Sequence, residues 1–90
     1  MKIEKKTWPE YFSAIIDGKK TYEFRLNDFE CGEGDVLVLR EWNPETEEYT
    51  GRVIEKKVLR VDKIKDFSNS SFCSKEEIEK YGFQIISLGD

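Results

Sequence analysis

The chain has 90 residues, 38% hydrophobic and 13% aromatic, with 15 Lys/Arg against 19 Asp/Glu and a formal charge of -4. That length suits one domain spanning 1–90 with a single core, and the aromatic content argues against disorder. No histidine is present, which excludes His-based acid–base catalysis, the His-dependent serine and cysteine triads, and most catalytic zinc sites.

The acidic excess argues against a generic high-affinity nucleic-acid binder. Its distribution is uneven, however. Residues 1–25 hold six Lys/Arg against four acids, and residues 26–90 hold nine against fifteen, so a local positive field near the N-terminal third is expected. There is no run of eighteen apolar residues and no basic leader followed by an apolar stretch. Neither a membrane span nor a secretory signal is expected, and the cytoplasm is the default location. Cys31 and Cys73 form no Cys-x-x-Cys pair and read as two free thiols at or near the core. No metal and no cofactor are expected, and a monomer is favoured.

Lys2–Lys5 carries a weak strand signal. Thr7 with Glu10 matches a capping box, Pro9 suits a first turn, and Trp8, Tyr11, Phe12, Ile15 and Ile16 form one apolar stripe. These predict a helix over 8–17, stopped by Gly18. Thr21–Arg25 alternates as a strand, with Thr21, Glu23 and Arg25 on one face and Tyr22 and Phe24 on the other. Turn residues follow at Asn27-Asp28 and from Cys31 to Asp35. Val36–Trp42 is the clearest strand. A polar loop is expected from Asn43 through Gly51, and then a second long strand over Arg52–Val61, the pair forming an antiparallel hairpin. The apolar phase of that strand slips across Glu55-Lys56-Lys57, which predicts a bulge. Ser74 with Glu77 predicts a second, short helix closed by Gly82, and Phe83–Leu88 a final strand. The order places this chain in the α+β class as a small curled β-barrel, with a helix before the second strand and a short helix before the last.

The chemistry concentrates in Gly18-Lys19-Lys20-Thr21-Tyr22-Glu23-Phe24-Arg25. Lys20 suits a phosphate or carbonyl ligand, or a nucleophile. Glu23 and Arg25 lie two apart on one strand face, so Arg25 is expected to orient Glu23. Each residue has a structural alternative. Lys20 and Glu23 can form a simple salt bridge, Glu23 and Arg25 a structural ion pair, and Lys19 a charge partner for the helix C-terminus. Trp8, Tyr11 and Phe12 read as core. Trp42, at a strand end, is the better stacking candidate, with Arg40 on the same face.

Gly18-x-Lys20-x-x-Glu23-x-Arg25 resembles the signature of the ASCH domain superfamily, whose fold is the PUA-like β-barrel. The likeness extends to Trp8-Pro9-Glu10-Tyr11-Phe12, to Gly34-Asp35 with the strand ending at Trp42, and to Tyr49-Thr50-Gly51-Arg52. This combination is similar to the DUF3850 type of small bacterial and phage proteins. The resemblance implies binding of RNA, or of a nucleotide or modified nucleoside, in a cleft beside the motif. It also implies an alternative. Some small ASCH proteins are amidohydrolases of N4-acetylcytidine that use a motif Lys, a Thr three residues later and a distant Glu. Lys20 holds the Lys position, Glu23 stands where those enzymes carry Thr, and Glu76, Glu77 and Glu79 are candidates for the distant acid. Lys20 and Glu23 are then the catalytic candidates, and Lys19, Lys20, Glu23, Arg25, Arg40 and Trp42 the ligand-binding ones. A protein-interaction module with an exposed aromatic patch is the third reading.

Overall fold

Alternation of inward and outward side chains decides the architecture of the computed structural model, which describes residues 1–64 and 80–89. The elements are β1 (Lys2–Thr7), α1 (Pro9–Ile16), β2 (Tyr22–Leu26), β3 (Val36–Asn43), β4 (Glu48–Ile64) and β5 (Phe83–Gly89). All five strands join one sheet in the order β1-β3-β4-β5-β2. Only β1 and β3 run parallel, and the other neighbours are antiparallel.

Cross-strand partners share a face. The pairings Ile3↔Leu37, Lys5↔Leu39, Leu39↔Ile54, Val58↔Leu88 and Ile86↔Glu23 therefore define one concave face. Helix α1 lays Phe12 and Ile15 onto it, and these two join Leu37, Leu39, Val58, Ile86 and Leu88 in the core. Toward one end of that face the apolar residues give way to polar ones, buried except for the half-buried Arg25. Thr7 pairs with Glu41 across β1 and β3, and Arg25 with Gln84 across β2 and β5.

The two edge strands are the outermost members of the sheet order, yet they meet. Arg25 of β2 donates from Nη2 to the Lys6 carbonyl oxygen at 2.8 Å and to Thr7 Oγ1 at 3.3 Å, both on β1. The sheet is thus curled into a half-barrel whose seam is spanned by a side chain. This is the α+β curled sheet expected from the element order, open along one side.

Two register slips help the sheet bend. Between Arg40↔Val53 and Trp42↔Tyr49, β3 supplies Glu41 alone where β4 supplies Thr50, Gly51 and Arg52. Gly51 adopts φ 95°, which few other residues tolerate. Between Val58↔Leu88 and Arg60↔Ser87, Leu59 is the extra residue. The expected slip over residues 55–57 therefore falls two residues later, because Lys56 takes an inward position beside Leu37 and keeps the alternation through Val58.

Other local expectations are corrected. Thr7 does not cap α1. It is the buried last residue of β1, its hydroxyl accepts from Arg25, and Trp8 is an N-cap without a side-chain bond. Strand pairing claims Thr7 before the helix can. The five-residue apolar stripe is also too wide for two turns of helix: Phe12 and Ile15 are buried, whereas Trp8, Tyr11 and Ile16 are exposed. The loop expected over 43–51 contracts to Pro44–Glu47, since β4 already begins at Glu48. Asn43 folds the turn by accepting from the Glu45 and Glu47 N–H groups, with Glu47 at φ 56°. The acids at 45–48 are solvent-exposed, as the sequence suggests. The helix expected from Ser74 and the thiol of Cys73 lie outside the described residues, apart from the helical backbone at Lys80 and Tyr81. No helix among the described residues is long and apolar enough to cross a membrane.

Candidate functional site

Strand β2 begins four residues after Gly18, whose φ of 75° ends α1 and turns the chain back toward the sheet. That short connection hangs Lys20 over the first residues of β2. Alternation then points Glu23 and Arg25 to the concave face. Glu23 is almost wholly buried, its side chain 3% exposed. A buried carboxylate needs cations or donors, and both cationic members of the motif supply them. Arg25 Nε donates to Glu23 Oε2 at 2.7 Å, and Lys20 Nζ to Oε1 at 3.3 Å. Arg25 thus holds Glu23 with one edge of its guanidinium and β1 with another. The contact suits an orienting role for Arg25 and a structural ion pair equally.

These groups lie on a cavity of about 550 Å³ at the seam. It touches all five residues of β2. Alternate side chains of a strand point to opposite faces, so such a cavity must lie against the strand's free edge. Lys6 and Thr7 at the end of β1, the N-cap Trp8 and Tyr11 of α1 form the opposite side. Trp8 and Tyr11 stack on each other with centroids 6.4 Å apart and planes 21° apart. Lys20 Nζ sits 4.6 Å from the Tyr11 centroid and 5.4 Å from that of Tyr22. The result is a hollow with flat aromatic walls and a fixed acid at its polar side, a combination suited to a planar ligand with hydrogen-bond donors.

Of the six ligand-binding candidates, Lys20, Glu23 and Arg25 come together on this cavity. Lys19 is exposed and does not line it. Arg40 and Trp42 share the opposite, convex face of β3, as expected, and lie outside this cavity. The distant-acid candidates Glu76, Glu77 and Glu79 fall outside the described residues. Among the described residues no group of three His, Cys, Asp or Glu could hold a metal ion.

Sequence reasoning missed Thr7, Trp8 and Tyr11 as members of the site. The signal for Thr7 was the alternation of Ile3, Lys5 and Thr7, extended two residues past the weak strand. For Trp8 and Tyr11 it was the width of the stripe, since a two-turn helix on a curled sheet buries only a narrow face.

Comparisons with known proteins bear on the family and the fold. Residues 3–74 match the family model described as Domain of unknown function (DUF3850). An uncharacterized 12.9 kDa protein in the GpA 3' region of Escherichia phage P2 is 36% identical over 64 residues, or 71% of this chain. The chain spans only 57% of that relative's length. Among solved structures, the hypothetical protein PH0355 superposes with a TM-score of 0.75 at 22% identity, covering 98% of this chain and 97% of the other. The ASCH protein from Zymomonas mobilis superposes with a TM-score of 0.64 at 20% identity, covering 99% and 67%. At those identities the likeness is one of fold. The family match, which spans the helix and the motif strand beside the cavity as well as the long hairpin, makes this chain a member of the DUF3850 family with an ASCH-type fold.

Proposed function

We propose that the protein binds a nucleobase, carried by a nucleoside or by RNA, in the cavity between α1 and the edge of β2. The observation that supports this most directly is Glu23, a carboxylate buried on the cavity and held by two cations. Each carboxylate oxygen accepts one bond from Lys20 or Arg25 and keeps a lone pair. A base amino group would meet that lone pair, and Lys20 would donate its remaining N–H bonds to a carbonyl or an anion. Trp8, Tyr11 and Tyr22 would supply the stacking surface. The volume falls in the range of small-molecule sites.

The test is calorimetric titration of the four ribonucleosides and N4-acetylcytidine into wild type, Lys20→Ala and Glu23→Gln. A charged hydrogen bond contributes about 1.5–3 kcal/mol, so each variant should bind roughly 10- to 100-fold more weakly. A folded Glu23→Gln protein that binds every probe as wild type does would overturn the reading.

Amide hydrolysis of an acylated base is the second reading, favoured by a Lys and a Glu 3.3 Å apart on one cavity. The binding reading takes precedence because Glu23 replaces the Thr expected of such an enzyme, and both of its oxygens are engaged by cations. Incubation with N4-acetylcytidine separates the two. Release of acetate that stops in Lys20→Ala would make the cavity an active site.

A further inference from the structure

Cations of this protein rest on carboxylates, on aromatic rings or, like Lys20 and Arg52, on both. Several face carboxylates: Lys2 lies 3.0 Å from Glu55, Arg60 3.0 Å from Asp62, Arg52 3.6 Å from Glu41 and Lys63 3.7 Å from Glu30. Lys6 and Arg40 do not. Neither has a carboxylate within ion-pair distance among the described residues. Both rest on aromatic rings instead. Lys6 Nζ is 4.7 Å from the Trp42 centroid and 6.0 Å from that of Tyr49, and the Arg40 guanidinium carbon is 4.1 Å from the Tyr49 centroid. A ring face steadies a cation without offering it a hydrogen-bond acceptor of ordinary strength. Among the described residues the two side chains are therefore positioned, charged and short of acceptors.

Their placement is not scattered. Lys6 and Arg40 are register partners across β1 and β3, and Tyr49 is the partner of Trp42 across β3 and β4. A second hollow of about 430 Å³ is lined by Glu4, Lys5, Lys6, Arg25, Arg40 and Tyr49. It touches three consecutive residues of β1 and so passes around that strand's free edge. Lys6 and Arg25 line the first cavity as well. The two hollows adjoin where Arg25 donates to the Lys6 carbonyl. With Arg25 balanced by Glu23, the second hollow holds Lys5, Lys6 and Arg40 against Glu4 alone. On a chain of charge -4 that is a local excess of two positive charges.

We propose that this second hollow receives the backbone phosphates of a single-stranded nucleic acid whose unpaired base occupies the first cavity, with Lys6 and Arg40 as the phosphate ligands. The proposal rests on the nucleobase reading of the first cavity and specifies its ligand as a strand rather than a free nucleoside. The base must be unpaired, because one enclosed between α1 and β2 has left the stack, and a single strand offers such a base without the cost of breaking a pair. Contact is limited to one or two phosphates by the extent of the patch, so affinity depends weakly on salt.

The experiment uses fluorescence anisotropy of a labelled mixed-sequence RNA octamer between 50 and 200 mM NaCl, with the five nucleosides above as competitors. Wild type should show a log–log salt slope of about -1.4, corresponding to two single-strand phosphates. Arg40→Gln should bring the slope to about -0.7 and lower the ratio of octamer to nucleoside affinity about five-fold. Circular dichroism confirms that the variant is folded, and Lys6→Gln provides a second reading of the slope. If nucleosides bind through Glu23 but the octamer binds no more tightly, or if Arg40→Gln changes neither slope nor ratio, the phosphate hollow is overturned and the base cavity stands. If octamer binding falls with Arg40→Gln but not with Glu23→Gln, no base lies in the first cavity and both readings are overturned. Failure of every probe to bind also overturns both.

Discussion

Replacing Arg25 with Met should be among the most damaging single changes outside the apolar core. The guanidinium makes three contacts, at 2.7 Å to Glu23, 2.8 Å to the Lys6 carbonyl and 3.3 Å to Thr7 Oγ1. Met keeps the aliphatic volume and removes all three. Glu23 is then left 3% exposed with only the longer bond from Lys20. Removing one partner of a buried pair costs about 3–5 kcal/mol. Arg25 is itself 24% exposed, so water repairs part of the loss and the lower end of that range applies. A domain of this length is stabilised by about 5–13 kcal/mol in total, so the variant should sit close to its unfolding threshold. The assay is urea denaturation followed by the fluorescence of Trp8 and Trp42, for wild type, Arg25→Met, Glu23→Gln and the double variant. Glu23→Gln alone should cost less, about 1–2 kcal/mol, because the cations it leaves behind reach solvent. The double variant should be more stable than the sum of the singles predicts by about 1–3 kcal/mol. Additivity of the singles, or a loss below about 1 kcal/mol for Arg25→Met, would refute the claim that the buried carboxylate requires its guanidinium.

Three further outcomes follow from the core, the helix stop and the thiol. Leu39→Ala, at a wholly buried position, should lower the unfolding free energy by about 3–5 kcal/mol in the same urea assay. Gly18→Ala meets no atom within 4 Å and is penalised only for φ 75°, so a cost of about 1 kcal/mol is expected and Gly18→Asn should recover part of it. Burial pushes the Cys31 thiol above its ordinary value of 9.0, Asp35 adds to the effect, and Lys63 opposes it. The folded state therefore binds this proton more tightly than the unfolded one, so the contribution is complete below the unfolded value and is lost as pH rises through the folded one. In a Cys73→Ser background, Cys31 should resist a thiol reagent at pH 8 until urea unfolds the chain, and stability should decline above about pH 9. Rapid labelling of the native protein would contradict the burial.

Much of the fold was legible because local signals and tertiary demands coincide. Pro9, the Phe12–Ile15 spacing and Gly18 each act within the helix they define, and Val36–Leu39 can only be a buried strand. What failed involved competition between distant partners. Thr7 has the chemistry of a cap, and only pairing with β3 and the approach of Arg25 from β2 reveal that it is spoken for. The slip at Leu59 depends on where β5 lies, which no window of β4 contains. The motif strand disclosed its face because alternation is a local property, so Glu23 and Arg25 could be paired from spacing alone. Which aromatic residues line the hollow depends on how far the sheet curls, and that is set by two register slips many residues away from Trp8 and Tyr11.

The side-chain lacing between β1 and β2 sets how this protein can yield. A closed barrel would join its first and last strands by a ladder of backbone bonds, and parting them would mean breaking the ladder together. Here one guanidinium reaches across, and its two bonds to β1 cost about 0.5–1.5 kcal/mol each to exchange. Loosening the seam therefore asks only that these two side-chain bonds exchange with water, provided the Arg25–Glu23 bond stays in place with the hydrogen-bonded remainder of the sheet.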